Sequence, residues 1–230
     1  MTFIKVTDLK AGYDHNAILC DLNFEIAKGD FLGIVGPNGA GKSTLVKTLT
    51  SQIKPLSGSI MYAKERLKCG YLAQHNLTSS DFPASVYEVI SSGCLNTLGW
   101  LPFYKANAKK KIASIMEFLD LIKIKHECYR NLSGGQQRLV LLGRALCAGQ
   151  DMLILDEPNA GLDVNASQKL YETIQKINKN LALTIIMISH DFNSLHNCQH
   201  ILHLDRGQKF FGSFKDYQNE AICQHFWGNR

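Results

Sequence analysis

The sequence predicts an α/β fold in which short buried strands alternate with helices. Three continuous apolar runs carry this prediction, at residues 31–35, 152–155 and 184–188. Runs without polar alternation are typical of strands that are covered on both faces of a sheet. Helix-forming residues follow the first two runs, at 42–50 and 166–177. We therefore expect a sheet of buried strands with helices packed against it.

The remaining elements divide the chain into a strand-rich first third, a helical middle and a final α/β third. Between residues 86 and 121 the apolar side chains recur at helical spacing, which predicts two or three helices. Residues 201–204 and 209–211 flank a turn sequence and predict a hairpin. Further strands are predicted at 3–9, 22–26, 59–62 and 69–72.

The composition is that of an ordinary globular protein. Of 230 residues, 45% are hydrophobic and 20% charged, which suits one domain with a sizeable core. We interpret the net charge of +5 as a solvated surface. Seven cysteines, an odd number with no C-x-x-C pair, favour a reducing compartment. Neither a signal peptide nor a membrane-spanning stretch is expected, so any membrane role should come through a partner.

A phosphate-binding loop is predicted directly after the first buried strand. Its sequence fits G-x-x-x-x-G-K-S/T between a predicted strand and a predicted helix, the context that this motif requires. Glycines let successive N–H groups point inward, and the start of the helix adds its positive end. Lys42 would bring its charge to the β- and γ-phosphates, Ser43 would offer a hydroxyl to Mg²⁺ and Thr44 would bond a phosphate oxygen. The loop comprises Gly36, Pro37, Asn38, Gly39, Ala40, Gly41, Lys42, Ser43 and Thr44.

Two acids at the end of the second buried strand form a second candidate site. Asp156 and Glu157 follow the apolar run 152–155, and ionised carboxylates need a charge to meet in such a place. Asp156 suits Mg²⁺, directly or through water. Glu157 is placed to polarise a water that attacks the γ-phosphate. The phosphate-binding loop alone leaves GTPases, kinases and other ATPases open.

The stretch Leu-Ser-Gly-Gly-Gln at residues 132–136, with the helix-forming sequence after it, resembles the signature of ABC ATPases. A serine and two glycines at a helix start make a second anion-binding terminus. The resemblance implies a P-loop NTPase (RecA-like) core with an antiparallel β subdomain and an inserted α-helical subdomain. It implies one nucleotide-binding domain over 1–230, with the core and β subdomain at 1–84 and 150–230. The helical subdomain would span 85–149 and end in the signature helix.

The same resemblance assigns further residues. In this family two copies pack head to tail, and each signature closes over the ATP of the other copy. Tyr13 would stack on adenine, although a core or surface aromatic is the alternative, and His190 would contact the γ-phosphate. Ala73 and Asn159 depart from the usual proline and threonine or serine without touching the charged chemistry. Implied catalytic residues are Glu157, His190, Lys42 and Gln74; implied Mg²⁺ ligands are Ser43, Gln74 and Asp156; implied contacts to the partner's ATP are Ser133, Gly134, Gly135, Gln136 and Asp163.

The resemblance further implies a transporter motor on the cytoplasmic face of the cell membrane. It would work with separate permease subunits and, indirectly, with an extracytoplasmic solute-binding protein. Residues 81–93 resemble the same region of the zinc, manganese and iron uptake family, so we expect import of a divalent metal ion. Importers of iron chelates or cobalamin and soluble ABC ATPases of iron–sulfur assembly are the alternatives. No nucleic-acid partner is expected, because residues 42–133 leave no room for long coiled coils.

Overall fold

A computed structural model describes residues 1–65, 67–74, 83–95, 104 and 106–228. Part of the predicted helical stretch 86–121 and residues 81 and 82 of the segment 81–93 therefore lie outside the described residues. In the described part of the chain, the strands are β1 (Thr2–Tyr13), β2 (Asn16–Ala27), β3 (Phe31–Val35), β4 (Ser57–Tyr62), β5 (Cys69–Leu72), β6 (Met152–Asp156), β7 (Thr184–Ile188), β8 (His200–Leu204) and β9 (Gln208–Ser213). The α-helices there are α1 (Lys42–Leu49), α2 (Val86–Ser92), α3 (Ala106–Phe118), α4 (Gly134–Ala148), α5 (Val164–Leu181), α6 (Phe214–Asn219) and α7 (Ala221–Trp227).

The chain divides into two compact units, one of residues 1–67 and 178–230, the other of residues 68–177. The first unit contains a three-stranded antiparallel sheet in the order β2-β1-β4. Ile4 and Val6 of β1 lie opposite Ile26 and Phe24 of β2, and all four side chains are buried. Each such burial contributes roughly 1.5–3 kcal/mol relative to an exposed side chain. This sheet is held by its apolar face.

Strands β1 and β2 are longer than the alternation at 3–9 and 22–26 predicts. The register between them shifts repeatedly, for example between Val6 and Leu9. Asp8 and Asp21 adopt positive φ values of 47° and 56° within these strands. Irregularities of this kind insert a residue and reverse which side chains face the core. The hydrophobic alternation therefore breaks while the strand continues.

The first unit also contains the strands β7, β3, β8 and β9 side by side in that order. β3 pairs in parallel with β7 and β8, and every residue of β3 is buried. The runs 31–35 and 184–188 were predicted with these bounds, and the 201–211 hairpin is confirmed as the antiparallel pair β8 and β9. Because parallel neighbours end at the same sheet edge, the loops that follow β3 and β7 begin together.

A buried polar chain joins the last helices of this unit to β8. The Nδ1 atom of His203 lies 2.8 Å from the hydroxyl of Tyr217, and Trp227 donates its indole N–H to the same oxygen over 3.1 Å. Burial lowers the pKa of His203 to about 4, so the imidazole is neutral at neutral pH. The ring of Trp227 also packs on Phe192, with centroids 5.3 Å apart.

The second unit combines the parallel pair β5 and β6 with helices α2, α3 and α4. The hydroxyls of Ser85 and Ser133 accept the backbone N–H of Glu88 and of Gln136. The side chains of Glu88 and Gln136 in turn accept the backbone N–H of these serines, so α2 and α4 each begin with a capping box. Gly70 permits the close approach of β5 to α4, because a Cβ there would lie 2.1 Å from the carbonyl oxygen of Ala145. The predicted helical middle is confirmed for the described residues.

All seven cysteines are free thiols, and four of them are buried. Burial raises the pKa of Cys147 and of Cys69 to about 12, and it raises the pKa of Cys198 still further. Within the described ranges, no helix is both long enough and apolar enough to cross a bilayer.

Candidate functional site

The predicted phosphate-binding loop leaves β3 at Val35 and enters α1 at Lys42. Its glycines 36, 39 and 41 have φ values of 145°, 80° and 94°, a region that other residues avoid. Gly36 is also sterically required, since a Cβ there would lie 2.0 Å from the carbonyl oxygen of Leu204. The loop conformation therefore depends on glycine in two ways.

Lys42 lies across this loop. Its side chain is only 8% exposed, and Nζ donates to the carbonyl oxygens of Gly36 at 2.7 Å and Pro37 at 2.9 Å. The residue before the helix, Gly41, provides no side-chain cap. The first N–H groups of α1 thus lack a capping side chain and suit a bound anion. The charge, the glycine conformations and the uncapped helix start fit the phosphates of a nucleotide.

Tyr13, Ser43 and Thr44 are three further predicted residues of the first unit. Tyr13 is the last residue of β1, and 42% of its surface is exposed. The ammonium group of Lys47 lies 5.7 Å from the centroid of the Tyr13 ring. Lys47 was not singled out from the sequence, and its place in the helix after the phosphate-binding loop was the one indication that it lies near this site. Ser43 is exposed, whereas Thr44 is buried. An exposed hydroxyl at position 43 is what a cation ligand requires.

His190 follows β7 as Gly36 follows β3. Ile188 is paired with Ile34 in the parallel register, so both residues leave the sheet at the same edge. The turn is fixed by Ser189, whose hydroxyl accepts the N–H of Asp191 at 3.0 Å and the hydroxyl of Ser194 at 2.8 Å. The structure therefore places the predicted histidine at the same edge as the phosphate-binding loop.

The second unit holds the carboxylates. The Asp156 carboxylate accepts the hydroxyl of Tyr71 at 2.9 Å, and the Glu157 carboxylate accepts the side-chain amide of Gln74 at 2.7 Å. Burial and then Asp156 raise the pKa of Tyr71, so its hydroxyl remains a donor. Gln74 and Glu157 were predicted separately, and the structure brings them together. Tyr71 was missed, because its contact depends on the register of β5 against β6.

Glu157 itself has an unusual backbone, with φ of 45°. A left-handed non-glycine residue costs about 1–3 kcal/mol and persists only where its surroundings hold it. Arg138 of α4 supplies that hold by donating to the carbonyl oxygens of Glu157, Pro158 and Ala73. Arg138 was also missed, and the signal available was a cation inside an otherwise apolar helical face.

The signature residues lie at the start of α4. Ser133, Gly134 and Gln136 are exposed, and the Ser133 hydroxyl accepts the N–H of Gln136 at 3.3 Å. Gly135 lies against α5, since a Cβ there would be 3.2 Å from that of Ala166. Asp163, expected at the dimer seam, is exposed and accepts the N–H of Ala166 at 2.8 Å. It therefore caps the start of α5 as well.

These features are those of a P-loop nucleoside triphosphatase: one unit contains a glycine loop with its lysine, and the other contains two strand-end carboxylates and a glutamine. The sequence profile of the family described as ABC transporter matches residues 19–160. The chain belongs to the ABC transporter family, as an ATP-binding and ATP-hydrolysing member, and the predicted resemblance is confirmed.

Individual relatives agree with this assignment. The chain is 32% identical over 225 residues to the zinc uptake system ATP-binding protein ZurA of Listeria monocytogenes, covering 94% of this chain and 88% of that protein. It is 33% identical over 227 residues to a probable metal transport system ATP-binding protein of Thermotoga maritima, covering 98% and 91%. The solved structure of cbiO1 from Clostridium perfringens, part of the ABC transporter complex cbiONQ, superimposes with a TM-score of 0.84 at 26% identity, covering 100% of this chain and 95% of that chain.

Proposed function

We propose that this ABC ATPase powers the import of a divalent metal ion, zinc, manganese or iron, through separate permease subunits. The observation that carries the proposal is similarity along nearly the whole chain to ATP-binding proteins named for zinc uptake and metal transport. The similarity extends on both sides of the shared ATPase motifs, so it is not limited to the residues that every such ATPase needs.

We propose that each predicted site residue acts on the nucleotide or on the attacking water. Tyr13 and the loop 36–44 bind ATP, with Lys42 and His190 on its phosphates. Ser43, Gln74 and Asp156 would hold Mg²⁺, which when bound would neutralise charge on the phosphate oxygens. Glu157 takes a proton from water as general base. The hydrogen bond from Gln74 supports this role, because it fixes the orientation of the Glu157 carboxylate.

We also propose a head-to-tail homodimer in which Ser133, Gly134, Gly135, Gln136 and Asp163 contact the partner's ATP. The exposure of the signature serine and of the first glycine supports this assignment. The absence of a Cβ at the two glycines would let phosphate oxygens approach the N–H groups at the start of α4.

A cavity in the second unit supports contact with a permease. Its volume is about 340 Å³, and Val89 and Leu141 contribute to its lining between α2 and α4. Glu88 and Arg144 supply charges of both signs to the same lining. Tyr129 lines it too, and its buried hydroxyl has no hydrogen-bond partner among the described residues. Since an unpaired buried hydroxyl costs about 1–3 kcal/mol, a polar group of a docked helix would remove that cost.

Metal accumulation in cells tests the proposed function. In the native host, deletion of this chain should lower the uptake of radioactive zinc, manganese or iron, and plasmid-borne wild type should restore it. Glu157→Gln should fail to restore uptake, whereas Glu172→Gln, the same change at an exposed carboxylate of α5, should succeed. Unchanged uptake of all three metals after deletion would refute metal import.

Copurification in gentle detergent tests the permease contact. The tagged wild-type chain should bring down a protein with several membrane spans. Val89→Arg should abolish that copurification by filling the cavity with a charge, while ATP binding remains. Recovery of the same membrane protein by the Val89 variant would argue against docking at this cavity.

A further inference from the structure

Arg138 is a buried cation that the assigned chemistry does not use. It lies in the second turn of α4, with only 2% of its surface exposed. Burial lowers its pKa, and the nearby charges of Tyr129 and Asp156 oppose that shift. A buried guanidinium is unfavourable unless hydrogen bonds satisfy its donors. The hydrogen bonds of Arg138 must therefore offset the cost of burying its charge.

The contacts of the guanidinium are with main-chain carbonyl oxygens of two separate loops. Nε donates to Pro158, Nη2 donates to Glu157 at 2.7 Å, and Nη1 donates to Ala73 at 3.3 Å. The planar fork of arginine can satisfy three fixed acceptors at once, which the single ammonium of lysine cannot do with the same geometry. One side chain thus fixes the loop after β6 and the loop after β5.

These are the loops that carry the pair Gln74 and Glu157. Gln74 follows Ala73 directly, and its amide donates to the Glu157 carboxylate at 2.7 Å. Glu157 has the left-handed φ of 45°, and Arg138 binds the carbonyl of that residue and the next. The backbone on both sides of the Gln74–Glu157 hydrogen bond therefore depends on Arg138.

We propose that Arg138 is a positioning residue for ATP hydrolysis, which holds Glu157 and Gln74 in register and ties both to the helix capped by Ser133. The inference rests on the proposed role of Glu157 as general base. Because the hydrogen bonds of Arg138 to Pro158, Ala73 and Glu157 end on main-chain carbonyl oxygens, its loss should displace the base without removing any group that binds ATP. A misplacement of about 1 Å costs roughly 10²-fold in rate.

The first test separates hydrolysis from binding and from folding. In Arg138→Met, kcat should fall about 10²-fold while the Kd for a fluorescent ATP analogue stays within about threefold. Arg138→Lys should fall about tenfold, because an ammonium can serve only part of the three acceptors. Arg130→Met, the same change at an exposed arginine of this unit, should behave as wild type. If the methionine variant fails to fold, the lysine variant carries the test, through its loss of kcat at unchanged ATP affinity. Unchanged kcat, or an equal loss of ATP affinity and kcat, would overturn the proposal.

The second test asks whether Arg138 acts through Glu157. The double variant Arg138→Met with Glu157→Gln should hydrolyse ATP no more slowly than Glu157→Gln alone. Once the Glu157 carboxylate has been removed, losing the residue that positions it should have no further effect on the rate. Losses that multiply would show an independent action of Arg138 and overturn the inference. A Glu157→Gln variant with wild-type kcat would instead refute the proposed base itself, so the two failures can be told apart.

Discussion

Replacement of Glu157 by glutamine should abolish hydrolysis while leaving the protein folded. Glutamine has nearly the same shape as glutamate, and its amide oxygen can still accept the Gln74 amide where the carboxylate did at 2.7 Å. Arg138 binds the main chain of residue 157, which the substitution leaves unchanged. We therefore expect a change in unfolding free energy below about 1 kcal/mol, the typical worth of one hydrogen bond.

The catalytic effect should be far larger. An amide cannot take the proton of the attacking water, and a general base contributes about 10²–10⁴-fold in rate. Each tenfold corresponds to about 1.4 kcal/mol of barrier, so the variant should lose roughly 3–5.5 kcal/mol of transition-state stabilisation. ATP binding should survive, because the phosphate-binding loop and Lys42 are untouched.

Phosphate release at saturating ATP measures kcat, and gel filtration with ATP measures association. The variant should show the loss of kcat together with a stable ATP-bound dimer, because the nucleotide that we propose joins the two copies is no longer hydrolysed. Glu172→Gln, in which an exposed carboxylate loses its charge, should match wild type in both assays. A Glu157 variant with kcat within about threefold of wild type would refute the general base. A variant that elutes only as monomer with ATP would refute the sandwiched dimer.

Three further outcomes follow from described contacts. Lys42→Ala should weaken ATP binding at least about tenfold by removing the buried charge of the loop, with exposed Lys5→Ala as control; an unchanged ATP titration would contradict this. Ser133→Ala should lower the unfolding free energy by about 1 kcal/mol through loss of the helix cap, and it should prevent ATP-dependent dimerisation. Ser133→Thr should restore the cap. Equal urea midpoints for the wild type and both variants would count against the capping box. His203 binds a proton below about pH 6.5 in the unfolded chain but only below about pH 4 in the folded chain, so the free energy of unfolding should fall by up to about 1.4 kcal/mol per pH unit as the pH drops between these values. In urea titrations, His203→Gln should reduce this dependence of stability on pH. An unchanged dependence would contradict the neutral histidine.

The buried strands were predictable because nothing in their sequence competes with the pattern. Every residue of β3 and of β7 is buried, and the continuous apolar runs gave their bounds directly. The first hairpin was harder, since positive φ values at Asp8 and Asp21 interrupt the alternation within continuous strands. Local sequence contains no signal for where such a register shift falls.

The candidate site divides in the same way. Residues that form local motifs, such as Lys42 in its glycine loop, could be predicted because the chemistry is contained in consecutive positions. Tyr71 and Arg138 could not, because their partners lie on another strand or in other loops. Their contacts depend on the pairing of β5 with β6 and on how closely α4 approaches, and neither can be read from spacing along the chain.

The raised pKa values of several cysteines make this protein well suited to site-directed labelling. At pH 7, a thiol with a pKa of about 12 is ionised in only about one molecule in 10⁵, so Cys69 and Cys147 should react very slowly with maleimides. Cys198 should be slower still, since its pKa is raised further and its side chain is buried. A reporter cysteine at Val164, which is 82% exposed at the start of α5, would stand out against these thiols once Cys20 and Cys128 are replaced. Fluorescence from that position could then follow the approach of two copies in real time.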